Sequence, residues 1–190
     1  MDHQRESNCA AWADLDIPDV DFDVAALHTA IDETRRKRQL SWNAVAHEVN
    51  RSGERRNVHP ISPSTISGLK SKRWGVEGDG VLQMLLWLGR SPESFVPGHP
   101  GADHPEAQLP RVKRDQILRF DVALIYSKLE AVRSSRGLTW TEVAGEVGRF
   151  CSPRGLRSMR TQQRTAFPQI MWITRWLRCP AAGLTRIADW

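Results

Sequence analysis

Two stretches of the chain combine a Ser-Pro dipeptide with short hydroxyls and cations, and neither contains a carboxylate. The first runs Ser62-Pro63-Ser64-Thr65-Ile66-Ser67-Gly68-Leu69-Lys70-Ser71-Lys72-Arg73. The second runs Ser152-Pro153-Arg154-Gly155-Leu156-Arg157-Ser158-Met159-Arg160-Thr161-Gln162-Gln163-Arg164. Such side chains suit a nucleic acid: arginine or lysine forks onto guanine in the major groove, and hydroxyls serve base edges or phosphates. The plain alternative is an ordinary solvated helix face. Hydrolytic and nucleotide chemistries lack their residues. His47-Glu48 opens a zinc-hydrolase pattern, but position 51 is arginine where the second histidine belongs. The sequence also has no phosphate-binding glycine loop, no GxSxG elbow and no glycine-rich dinucleotide turn. The reading is a binding protein with no enzyme activity, no cofactor, no metal and no evident small-molecule ligand.

The elements that must hold these stretches occur twice. Phe22 to Asn50 aligns without a gap on Phe120 to Gly148, with twelve identities in twenty-nine positions. The match resumes with Ser62-Pro63 on Ser152-Pro153 and again with Val81 to Leu88 on Ile170 to Leu177. The chain is therefore two copies of one unit of about 75 residues. In each, Asp23 or Asp121 caps a helix whose apolar residues recur three and four apart. Ser41 or Thr139 caps a second helix, with Trp42, Val45, Ala46 and Val49 or Trp140, Val143, Ala144 and Val147 facing inward. A third begins Ser-Pro, where the missing amide costs nothing, and is anchored only by Ile66 and Leu69 or Leu156 and Met159. The fourth, Val81 to Leu88 or Ile170 to Leu177, is the most apolar and belongs at the centre.

The predicted organisation is an acidic tail over 1–20, a first unit over 21–96, a linker over 97–113 and a second unit over 114–190. The stretch 97–110 holds four of the eleven prolines and little that could pack, which predicts a semi-extended linker. No stretch alternates clearly enough to be a strand. Three cysteines without a CxxC pair predict reduced thiols. The longest apolar run is too short to cross a bilayer, and the acidic start is no signal peptide, so a soluble, cytoplasmic protein with no membrane partner is expected.

The net charge of +5 conceals an asymmetry. Residues 1–23 carry seven acidic groups and one basic group, whereas 111–190 carry fifteen basic and six acidic ones. A basic body attracts polyanions, nucleic acid first. The tail either folds back on that surface or forms a solvated leader, the simpler reading.

On LSWNAVAHEV, SPSTISGLKSKR, VLQMLLWLG and SPESF, and on LTWTEVAGEVG, SPRGLRSMR and IMWITRWL, the unit resembles the lambda-repressor-like (Cro-type, xenobiotic-response-element) helix-turn-helix family. The resemblance implies an all-α chain of two tandem helix-turn-helix bundles, each of four to five short helices, joined by a Pro-rich linker. It also implies that the third helix of each lies in the major groove of double-stranded DNA. Carried onto these positions, the contacts would be Ser62, Ser64, Thr65, Ser67, Gly68, Lys70, Ser71, Lys72 and Arg73 in the first copy. In the second they would be Ser152, Arg154, Arg157, Ser158, Arg160 and Arg164.

Two departures qualify the match. The turn after Asn50 is eleven residues long, and its Arg51, Arg55, Arg56 and His59 either reach backbone phosphates or coat the turn. The second copy also lacks the Ser-Thr pair, so base reading is expected more of the first copy. The expected function is a sequence-specific, nucleoid-associated transcriptional regulator with two recognition helices. The alternatives are a protein-interaction module, adaptor or antitoxin-like, and a nonspecific nucleoid coat. A homodimer or a protein partner is compatible with each. Trp42, Trp140, Trp87 and Trp176 are expected in the core; Trp74, just past the recognition helix, could pack or stack.

Overall fold

A computed structural model describes residues 12, 14–50, 60–71, 77–113, 116–148, 150–162 and 165–189. The first copy contains α1 (Val24–Lys37), α2 (Trp42–Val49), α3 (Pro63–Ser67) running into a 3-10 turn at Leu69–Ser71, α4 (Gly78–Leu88), and a closing 3-10 turn at Pro92–Phe95. The second contains α5 (Val122–Ser135), α6 (Trp140–Val147), α7 (Pro153–Ser158), α8 (Phe167–Leu177) and a closing 3-10 turn at Ala181–Leu184. No helix among the described residues is long and apolar enough to cross a membrane.

The helix starts follow from their caps. Asp23 Oδ1 accepts from the Ala26 amide at 2.8 Å, and Asp121 Oδ1 from Leu124 at 3.0 Å. Ser41, Ser62 and Ser152 each accept from the amide three residues on, and Thr139 with Glu142 forms the reciprocal capping box. The helix ends repeat too: Gln39 (φ 54) and Gly137 (φ 64) follow the first helix of each copy, and Gly89 (φ 67) and Arg178 (φ 50) follow the last.

The fold is mostly helical but not wholly so. β1 (Gln116–Phe120) pairs antiparallel with β2 (Thr185–Asp189), Leu118 opposite Ile187. The expectation of no strand fails here for a physical reason. Ile117 and Leu118 are adjacent and both buried, so β1 lacks the alternation of a one-sided strand. Its Leu118 carbonyl accepts from Gln83 Nε2 at 2.9 Å, and its Phe120 amide donates to Asp79 Oδ1 at 3.1 Å, both from α4. Tertiary partners make the strand.

The buried apolar residues of both copies form one connected cluster. At their junction the Phe167 ring lies 4.6 Å from Phe22 and 5.9 Å from Phe120 between centroids. Glu77 and Ala166, which precede α4 and α8 at matching positions, form an antiparallel bridge. A bridge between equivalent residues is what a local two-fold relation produces, so the copies meet as the halves of an isologous dimer do.

Residues 97–110 are not a semi-extended linker. They form turns and a 3-10 segment at Pro105–Ala107, with Ala107 fully buried, and Ser91 Oγ donates to the Ala102 carbonyl at 3.0 Å. Trp12 is buried beneath them, its ring 5.2 Å from His99 and 6.1 Å from His104. A Cβ on Gly101 would fall 2.5 Å from that indole, so only glycine admits it. The composition promised few apolar side chains; the missing partner came from the N-terminal segment. Over residues 14–21 the solvated-leader reading gives way with it, because Asp19 pairs with Arg175 and Trp172 Nε1 donates to Asp21 Oδ1 at 3.1 Å; residues 1–11 lie outside the described residues. Cys179 is disulfide-bonded, which corrects the expectation of reduced thiols, while Cys151 is free.

Candidate nucleic-acid interface

The same device in each copy braces the three helices behind the Ser-Pro helix. Arg35 Nε donates to Asp32 Oδ1 at 2.8 Å, its NH1 donates to the Leu40 carbonyl at 3.0 Å, and its guanidinium lies 4.7 Å over Trp42. Arg133 repeats this with Glu130, Leu138 and Trp140. Arg38 pairs with Glu48, which also accepts from Trp87 Nε1 at 2.8 Å; Arg136, Glu146 and Trp176 do the same. These clasps tie the first, second and fourth helices of each copy together. They also place the four tryptophans at the rim of the core, half-buried and packed against it, rather than inside it.

Onto that frame α3 is pinned by Ile66 and Leu69, and α7 by Leu156 and Met159, all four fully buried. The rest of each helix faces away. In the first copy Ser62, Ser64, Lys70 and Ser71 are exposed, while Thr65, Ser67 and Gly68 are half-buried. Most of the hydroxyls are engaged locally. Ser62 Oγ accepts from the Thr65 amide and bonds the hydroxyls of Ser64 at 2.9 Å and Thr65 at 2.8 Å. Ser71 Oγ donates to the Gly68 carbonyl at 2.8 Å. Lys70 makes no ion pair among the described residues.

The second copy offers more free donors. Arg154, Arg157 and Arg160 recur every third residue, are exposed, and have no side-chain partner among the described residues. Ser152 is exposed and caps Gly155. Ser158 is spent locally, donating to the Gly155 carbonyl at 2.8 Å and accepting from Gln162 Nε2 at 2.9 Å. Predicted contacts Arg51, Arg55, Arg56, Lys72, Arg73 and Arg164, together with His59 and Trp74, lie outside the described residues.

Electrostatics favour an anion here. The nearby carboxylates are already occupied by the scaffold: the Arg136 hydrogen bond holds Glu146 below the usual carboxylate range, and the Thr139 amide does so for Glu142. No carboxylate lies on α3 or α7. The long turn of the first copy is closed at its base by a residue that sequence reasoning passed over. Asn50 Nδ2 donates to the Ile61 carbonyl and Asn50 Oδ1 accepts from the Ile61 amide, both at 2.9 Å. His28 Nε2 adds a bond to the Ser67 carbonyl at 3.0 Å. The second copy instead turns at Gly148 (φ 114), where a Cβ would lie 2.7 Å from Trp172. The clasps could have been found from the sequence, since Arg35, Arg38, Trp42 and Glu48 are among the identities between copies. Asn50 could not, because its partner lies across the insertion.

No family model matches the chain, and neither curated proteins nor solved structures give a match.

Proposed function

We propose that this chain is a sequence-specific, double-stranded DNA-binding regulator of the lambda-repressor-like type, with α2–α3 and α6–α7 as two helix-turn-helix motifs. The observation that carries the reading is α7 and the turn that follows it: Arg154 and Arg157 on a short capped helix and Arg160 just past its end are all exposed, with no carboxylate to neutralise them among the described residues. Guanidinium forks match phosphates and guanine edges in ways a solvated face does not require. The first copy supports the reading through Lys70 and the hydroxyls of Ser62, Ser64 and Thr65, which can rotate toward a duplex. The shared core fixes the two readers to one body. A single chain then presents what a one-unit relative would assemble by dimerising, and two weak binding surfaces act as one stronger surface.

Selection from a random-sequence duplex pool tests this. A reader returns a motif with two parts, and Arg157→Ala with Arg160→Ala lowers the slope of log affinity against log salt by about 0.9 for each phosphate those guanidinium groups neutralise. Selection that returns no motif, with an unchanged slope in the double variant, removes the regulator reading.

A further inference from the structure

In each copy a groove opens beside the last apolar helix, and the chain leading into the other copy crosses it. Each crossing is tied from the same position of its helix. Gln83 on α4 donates to the Leu118 carbonyl, two residues before Phe120, and its counterpart Trp172 on α8 donates to Asp21, one residue before Phe22. The two grooves differ in charge. The first is about 780 Å³, carries Glu48 and Asp103 with Arg90, and is crossed by Leu109 to Val112 with the cation Arg111. The second is about 490 Å³, is floored by Val147, Trp172 and Trp176, and is crossed by Leu15-Asp16-Ile17; its Glu146 is paired with Arg136, which leaves Arg175 and Arg178 along its edge as the excess charge. Residues 14–21 contain four aspartates and no cation.

We propose that the second groove is a docking site for an acidic, extended peptide segment of a partner protein, and that residues 14–21 are its resident occupant. Charge complementarity identifies the partner: Asp19 already pairs with Arg175, and Asp21 already accepts from Trp172. The floor selects a peptide over a bare polyanion, because Leu15 and Ile17 place aliphatic groups between the aspartates and rest half-buried on it. The resident is held shallowly between two deep anchors. The Asp19 side chain is 71% exposed and Val20 is 43% exposed, whereas Trp12 and Phe22 on either side are buried. Exposed ion pairs contribute little individually, so residues 14–21 can lift while both ends remain fixed. The resident enjoys only the advantage of tethering, which an intermolecular peptide overcomes at sufficient concentration.

The test uses the full chain and a fluorescently labelled peptide, DLDIPDVDF, copied from residues 14–22. Asp19→Asn with Asp21→Asn unlatches the resident, so the peptide binds that variant about tenfold more tightly than it binds the unaltered chain, as read by anisotropy. A second variant, Leu15→Ser with Ile17→Ser, leaves Asp21 and Trp172 in place and gives the same gain if helix content by circular dichroism is unchanged. Arg175→Ala in either background removes the gain, and a peptide with asparagine at each aspartate binds about tenfold more weakly. The proposal fails if neither variant outbinds the unaltered chain, if the asparagine peptide binds equally well, or if a duplex oligonucleotide displaces the labelled peptide as readily as unlabelled peptide does.

Discussion

The two copies agree where they hold themselves together and part where they face outward. Arg38, Glu48 and Trp87 repeat as Arg136, Glu146 and Trp176, with the same bonds. On the Ser-Pro helices, by contrast, α3 presents hydroxyls that bond one another and α7 presents guanidinium groups with no partner among the described residues. The duplicated scaffold keeps its internal bonds in both copies, while the outer helices differ in the chemistry they present. The same contrast recurs at the junction: α8 begins with Phe167, which fills the space between copies, while α4 begins with Gly78, which leaves room for Phe120.

Exchanging volume at that junction has the largest expected effect. Phe167 is 1% exposed, and Phe167→Ala removes the ring shared by Phe22 and Phe120, at a cost of about 3–5 kcal/mol in urea unfolding. Gly78→Ala acts in the opposite direction. Its Cβ would lie 2.8 Å from Ile170 Cδ1 and 3.0 Å from Phe120 Cδ2, an overpacking cost of about 1–3 kcal/mol. If both changes leave the midpoint in place, the copies do not share a core.

The closing turns give the next contrast. Glu93 in the first copy is buried, and its Oε1 accepts from the Ala181 amide of the second at 2.7 Å, while its Oε2 has no hydrogen-bond partner among the described residues. The corresponding residue of the second copy is Ala182. Burial pushes the Glu93 carboxyl up to about 7 from its usual 4.5. Between those values the folded chain keeps a proton that the unfolded chain has released, so stability falls as pH rises from about 4.5 to 7. The total change is about 3 kcal/mol, and Glu93→Gln flattens the dependence. An unchanged slope in the glutamine variant, measured by thermal or urea unfolding across that range, would show that Glu93 is solvated.

Helices were legible in the sequence wherever a cap and a three-four spacing coincided, and Asp23, Ser41, Ser62, Thr139 and Ser152 all cap where expected. The repeat itself was legible because residues such as Arg38 and Glu48 have partners within about forty positions, in the same copy. What escaped was everything that crosses between copies. β1 carries no alternating pattern because the adjacent Ile117 and Leu118 are both buried, with α4 bonded to the strand, and residues 97–110 are too poor in apolar side chains to pack until Trp12 lies beneath them. The outer surface was legible in residue type but not in commitment. Ser158 and Ser71 are spent on their own helices, which no spacing rule announces.

The smallest expected effect separates the turns. Gly148 makes a short turn possible by its positive φ, whereas Asn50 tolerates a long one by clipping both polar groups of Ile61. Asn50→Ala removes two half-buried bonds, at a cost of about 1 kcal/mol, because water can replace part of them. The change should be local. Hydrogen exchange at the Ile61 amide accelerates while the amides of α6, in the other copy, keep their protection. Equal acceleration in both copies would mean that the clip supports the whole core and that the insertion is not sealed off at its base.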